Sequence, residues 1–237
     1  MQIGTVARLF RYPVKSMRGE EIASTEIGLH GLAGDRRWSF VQARDRSVFP
    51  WLTARRAARM LLYQPRYAEE PIDSPREPRL SVETPDGRTL AVDDDALRAE
   101  LAELAETPLY LLHTFRGVPD VAPLSIFNLA LANAIGSHAG AELDPRRFRA
   151  NVYVEPSEGG YQDSDLVGRT LAIGTALRVA VLSLDERCKM IGLDPVSAEA
   201  DPRVVRTVVT SFANCAGIYC AVLRAGRASV GDAVSIE

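Results

Sequence analysis

The stretch RTLAIGTALRVAVLSL, residues 169–184, decides the fold. Two apolar runs, TLAI and ALRVAVLSL, are separated by Gly174 and Thr175. Branched aliphatic side chains suit a pleated, half-buried surface, and a glycine between two such runs reads as a turn. The pattern recurs upstream in ANVYVEP (150–156) and downstream in RVVRTVVTSF (203–212), GIYCAVLRAG (217–226) and ASVGDAVSIE (228–237), all read as strands. Short strands spaced by Gly and Asp favour barrels or curled sheets over a doubly wound α/β sheet.

The first half reads the same way. IGTVARLFRYPV (3–14), RRWSFVQA (36–43) and PLYLLHT (108–114) are strand candidates, and RLSVETPDGRTLAV (79–92) is a hairpin turning at Pro85-Asp86-Gly87. ARMLLYQPRY (58–67) is a short apolar run stopped by Pro65, and EEPIDSPREP (69–78) is a loop with three prolines. Two helices interrupt the strands. One spans DDDALRAELAELAET (93–107), where Asp93 to Asp95 offer a cap and Leu97, Leu101 and Leu104 share a face. The other opens at Ser125 in PLSIFNLALANAIGSHAG and ends at Gly136 or Gly140. The expected fold is mainly β with a few helices (α+β), as two β-barrel-like domains. The boundary falls in HTFRGVPDVAPLS, giving domains 1–115 and 116–237.

With 46% hydrophobic and 25% charged residues, the chain of 237 residues has the composition of a globular protein. Its net charge of −3 gives no global attraction to nucleic acid or an anionic membrane, so any anion site is local. Arg8, Arg11 and Lys15 interrupt the early apolar residues before a signal-peptide core forms, and no apolar run spans a bilayer. The three cysteines, Cys188, Cys215 and Cys220, have no zinc spacing, and the last two read as packing thiols. These features point to a reduced, cytoplasmic protein. P-loop, dinucleotide-fingerprint, nucleophile-elbow and zinc-helix motifs are all missing.

What remains is distributed. Only two of the 28 basic residues are lysine, and Lys15 in YPVKS is one of them, next to Ser16. GDRRW adds Arg36 and Arg37, and LTARR adds Thr53, Arg55 and Arg56. In RFRANVYV, Arg149 and Asn151 take alternate positions entering a strand, which places them on one side. Cys188 lies between Arg187 and Lys189, whose charge would favour a thiolate.

In order, YPVKS, GLAGDRRW, LTAR, PLSIFNLALAN, RFRANVYV, VGRTLAIG, RCKMIGLDP, GIYCAVLRAG and VGD resemble the successive signatures of the MOSC family, the molybdenum cofactor sulfurase C-terminal domain proteins, with their N-terminal β-barrel domain. The resemblance covers nearly the whole chain. It implies a cleft between two β-rich domains that binds a molybdopterin-type cofactor. It makes Cys188 the metal ligand and catalytic centre, and Lys15, Ser16, Arg36, Arg149 and Asn151 the cofactor-binding set. The chemistry agrees, since thiolate is a soft ligand and a pterin phosphate calls for cations and hydroxyl donors. The chain departs from the family at Glu186, where a small polar residue is common, and in KMIGLDPVSAEA after the cysteine.

The activity implied is that of a molybdenum-cofactor oxidoreductase, similar to the amidoxime-reducing component, which reduces N-hydroxylated small molecules. A ferredoxin-type cluster needs four Cys ligands and the chain has three, so the electrons come from a separate electron-transfer protein. Two other readings stay open: a sulfur-transfer protein that carries a persulfide on Cys188, and a cofactor-free binding protein on the same scaffold. No nucleic-acid or membrane partner is expected.

Overall fold

The computed structural model describes residues 1–237. The first half contains β1 (Gln2–Arg11), β2 (Glu20–Ile22), β3 (Ser24–Gly28), β4 (Gly31–Leu32), β5 (Trp38–Gln42), β6 (Gln64–Tyr67), β7 (Leu80–Glu83), β8 (Thr89–Ala91), helix α1 (Asp95–Ala105) and β9 (Leu109–His113). The second half contains β10 (Leu124–Asn128), α2 (Leu129–Ala139), β11 (Val152–Pro156), α3 (Asp163–Leu166), β12 (Thr170–Ile173), β13 (Leu177–Glu186), α4 (Pro202–Ser211), β14 (Cys215–Arg224), β15 (Gly226–Ser229) and β16 (Ala233–Ile236). The protein is therefore mainly β with four helices.

The opening stretch forms the β12–β13 hairpin, with Ala172 opposite Arg178. It is one corner of a closed barrel of seven strands, ordered β1-β11-β10-β14-β13-β12-β16 and back to β1. Every neighbouring pair is antiparallel except β10–β11. The barrel interior is filled by alternate side chains of its strands, among them Val6, Leu9, Val152, Val179, Ile218 and Val234. Closure leaves the seven strands without a free edge. The first strand of the chain is thus a stave of a barrel built otherwise from the second half, and β3 pairs with β15 across the chain as well.

The rest of the first half packs small sheets, β5–β9 and β6–β7–β8, with α1 around a second core that includes Phe40, Leu52, Met60 and Val82. Helix α1 joins this core through Leu97 and Leu101, and Asp94 caps it by accepting from the Ala96 N–H. Helices α2 and α4 cover the barrel over a third core of Phe127, Ile135, Phe148, Tyr153, Val204 and Val208. No helix is long and apolar enough to cross a membrane.

Two local expectations are corrected. The segment from Ser125 opens as a strand, β10, and the helix begins only at Leu129, where Asn128 caps it by accepting from the Ala130 N–H. All five β10 residues are buried, and a short run buried on every side carries no periodicity to separate strand from helix. Conversely, RVVRTVVTSF is helix α4. Its valines and threonines suit a strand, but Val204 and Val208 stand one turn apart on the buried face. Asp201 caps the first turn and Pro202 takes the position where no backbone donor is needed. Tertiary burial of that face overrides the local β preference.

Candidate functional site

Hydrogen bonds sew three distant sequence stretches into one wall. The Tyr12 N–H donates to Asp35 Oδ1 at 2.7 Å, and the Arg36 N–H donates to the Tyr12 carbonyl at 2.7 Å. The Lys15 N–H donates to the Trp38 carbonyl at 2.9 Å. RYPVKS and GDRRW therefore run side by side. Asn151 joins the third stretch. Its Nδ2 donates to the Phe10 carbonyl, and its Oδ1 accepts from both N–H and Oγ of Ser125 at 3.2 Å. The Tyr12 hydroxyl donates to the Ala150 carbonyl.

The wall bounds a cavity of about 100 Å³ between the barrel and the first-half sheets. Lys15, Ser16, Arg36, Arg149, Asn151 and Cys188 all line it. So do three acidic side chains, Asp120, Asp185 and Glu186, and three further arginines, Arg55, Arg147 and Arg187. Six cations against three carboxylates make this a locally positive site in a chain of net charge −3.

The backbone is held out of its ordinary range at three of these residues. Ser16, Arg36 and Arg149 have φ of 68°, 49° and 52°. Non-glycine residues rarely adopt this left-handed region, which costs roughly 1–2 kcal/mol per residue. The turns that aim these side chains into the cleft are strained where glycine would relax them. Arg149 lies in such a turn and not on a strand, because β11 begins only at Val152. It shares a side with Asn151 through this turn and not through the expected strand alternation.

The cations differ in how far they are neutralised. Arg36 pairs with Asp35 at 2.5 Å and donates to the Arg149 carbonyl at 3.0 Å. Arg147 pairs with Asp194, and Arg187 lies 2.7 Å from Asp185. Lys15 donates to the Val118 carbonyl at 2.8 Å and to Asp120 at 2.5 Å; burial lowers its pKa, and Asp120 opposes that. Arg149 has no carboxylate partner, and its guanidinium donates no hydrogen bond; it stacks on the Tyr12 ring at 4.3 Å, and burial lowers its pKa. The Ser16 hydroxyl is also free of protein partners, although the residue is only 7% exposed. Arg147 Nε is buried without a hydrogen-bond acceptor, and Arg187 Nη2 meets Asp185 as an ion pair without hydrogen-bond geometry.

Cys188 is exposed at the cleft, where it opens a short 3-10 turn, Lys189–Gly192. Its neighbour Arg187 turns inward and donates to the Ala216 and Phe148 carbonyls, while Lys189 does not line the cleft. The two flanking charges are thus not aimed jointly at the thiol. Cys220 is buried and Cys215 partly so, both on β14. Two residues of the sequence clusters serve the fold instead. Arg37 is buried against Glu77 at 2.6 Å, and Arg56 donates to Gln42 and to the end of α1.

Asp120, Asp185, Arg147 and Tyr219 are cleft residues that the sequence motifs did not single out. Asp185 is 2% exposed, and its carboxyl is pushed up to about 6 by burial, against the pull of Arg187. No local signal marks these four; the barrel topology brings them in.

The seven-stranded barrel and the first-half sheets thus enclose a donor-rich, cationic cleft with an accessible thiol at its mouth, an arrangement with the chemistry to accept an anion. The family models are specific: "MOSC domain" matches residues 114–235 and "MOSC N-terminal beta barrel domain" matches residues 3–108. The chain belongs to the MOSC family, which is linked to molybdenum cofactor binding. Among solved structures it is similar to the YuaD protein of Bacillus subtilis, at 15% identity over 98% of this chain and 94% of that one, with a TM-score of 0.51. It is also similar to YiiM of Geobacillus stearothermophilus, at 16% identity over 49% of this chain and 54% of that one, with a TM-score of 0.39. No curated protein matches it.

Proposed function

We propose that the cleft binds a molybdenum–pterin cofactor, with Cys188 as the metal ligand, and that the protein reduces N-oxygenated small molecules with electrons from a separate protein. The observation that carries this reading is the pairing, in one cleft, of an uncompensated cation, Arg149, with an accessible thiol, Cys188. Arg149 is partly buried, and a guanidinium half withdrawn from water without a carboxylate favours completion by an anion. Arg149, Arg36, Lys15 and the free hydroxyl of Ser16 fit a phosphate group as donors. Asn151 is already committed to Ser125 and Phe10, so it holds the wall while the cations hold the ligand.

No three His, Cys, Asp or Glu side chains cluster as a metal cage. A metal held through Cys188 therefore brings its other ligands with it, which a pterin dithiolate does. When bound, the cofactor supplies the two-electron redox chemistry. The protein's part is to bind it, orient it and fix the charge around it.

The test is molybdenum and pterin analysis of wild type and Cys188→Ala purified from a cofactor-proficient host. The expected result is both in wild type and loss of metal in the variant. Wild type free of metal and pterin, with Cys188 intact, refutes the reading. The exposure of Cys188 also favours a second reading, in which the thiol carries a persulfide for sulfur transfer. Loading by a cysteine desulfurase would then add the mass of one sulfur atom to Cys188.

A further inference from the structure

Asp120 lies in the connection between β9 and β10. The first part of this segment is fastened to the wall. The Thr114 N–H donates to the Arg37 carbonyl, and the Val118 N–H donates to the Arg36 carbonyl at 2.8 Å. Beyond Val118 the fastening stops. Pro119 and Pro123 have no N–H, and Asp120, Val121 and Ala122 donate no backbone hydrogen bond within the protein. Val121 is exposed. The polar grip on this stretch is Asp120 Oδ1 on Lys15 Nζ.

The two partners differ sharply. The Lys15 side chain is 5% exposed and the Asp120 side chain 59%. The lysine is fixed in the wall and the carboxylate reaches it from a loosely held strap. A buried ammonium must keep an anion or return to water. Here the strap supplies that anion, in the same cleft as Arg36, Arg149 and Ser16.

We propose that Asp120 is an internal stand-in for the ligand's anionic group: it occupies Lys15 in the free chain and is expelled with residues 119–121 when a phosphoryl anion enters. The inference rests on the cleft reading above and adds a competitor to it. Lys15 cannot serve the strap and the ligand fully at once. Part of the ligand's binding energy goes into releasing Asp120, so apparent affinity falls by the fraction of chains that are latched.

Inorganic pyrophosphate is the probe, titrated calorimetrically into the full chain. Asp120→Asn is expected to bind it more tightly than wild type, by roughly 5- to 50-fold, with Asp120→Ser repeating the gain. The gain must pass through Lys15, so on a Lys15→Met background Asp120→Asn should change nothing. An Asp120→Asn affinity equal to or weaker than wild type overturns the proposal. So does a gain that survives Lys15→Met, since Asp120 would then act only through its general field, and so does a lack of binding to every variant. Metal and pterin analysis tests the cofactor reading separately. Pterin retained with no effect of Asp120 sinks the latch alone, and a latch that works in a chain without pterin sinks the cofactor reading alone.

Discussion

The guanidinium groups of Arg36 and Arg149 lie 4.7 and 4.3 Å from the centroid of one ring, that of Tyr12, yet only Arg36 has a carboxylate partner. The pair shares an aromatic platform and a strained backbone, with φ of 49° and 52°. The ring contact is favourable, but the burial and the backbone are not. Burial lowers the pKa of Arg149, and a left-handed conformation suits glycine. An arginine kept under both penalties is consistent with the proposed ligand site.

The first prediction separates the two penalties. Arg149→Gly and Arg149→Ala both remove the cation, but only alanine keeps the strained φ. The glycine variant should be the more stable of the two by about 1 kcal/mol in chemical denaturation. Both should lose pyrophosphate affinity. Equal stabilities would show that the turn at Arg149 relaxes at no cost.

Asn151 behaves in the opposite way. It is 1% exposed, and its amide bridges β1 to β10 through Phe10 and Ser125. Asn151→Ala leaves the Phe10 carbonyl and the Ser125 donors without these partners in a buried wall. The expected loss is about 2–4 kcal/mol of unfolding free energy. Cofactor loss in this variant would then follow unfolding, with denaturation and retention falling together. A variant that lost pterin at full stability would instead make Asn151 a direct ligand contact.

These two residues show how far the sequence could be read. The resemblance grouped Arg149 and Asn151, and the structure puts both in one cleft with Lys15, Ser16, Arg36 and Cys188. Their different work was not legible, because it depends on which groups lie opposite. Asp35 pairs with Arg36, Ser125 faces Asn151, and no carboxylate forms an ion pair with Arg149. The strands of the second half were legible where one face is buried and the pattern alternates, as in TLAI. They failed where that condition failed: β10 is buried throughout, and α4 carries β-branched residues on a helical spacing. Asp120 and Asp185 entered through topology alone.

Asp185 gives a pH prediction. Burial raises its carboxyl to about 6, with Arg187, Tyr219, Asp120 and Arg36 as the surrounding charged or titratable groups. A carboxyl whose folded pKa is above its unfolded value penalises the folded state at high pH. That penalty is relieved as pH falls through 6 toward 4. Relative to wild type, Asp185→Asn should therefore gain stability between pH 5 and pH 8, on the order of 1 kcal/mol. Denaturation at the two pH values measures it. A difference that does not change with pH would mean that Arg187 keeps Asp185 ionised throughout.

Thiol reactivity tests the mouth of the site without any cofactor. Cys188 is exposed, Cys215 is partly buried and Cys220 is buried. Burial, then the charges of Glu186 and Asp185, push the Cys215 thiol up, and burial pushes Cys220 up to about 12. Since the thiolate is the reacting form, alkylation of the native chain at mildly alkaline pH should modify Cys188 first, Cys215 slowly and Cys220 only on unfolding. Peptide mass mapping over time reads the order directly. Bound metal should then protect Cys188 while leaving the slow Cys215 reaction unchanged, whereas pyrophosphate, held by the cations alone, should protect it much less. Equal protection by both would mean that access is controlled by closure of the cleft and not by ligation at sulfur. Cys188 would then remain a candidate for persulfide transfer but lose its support as the metal ligand.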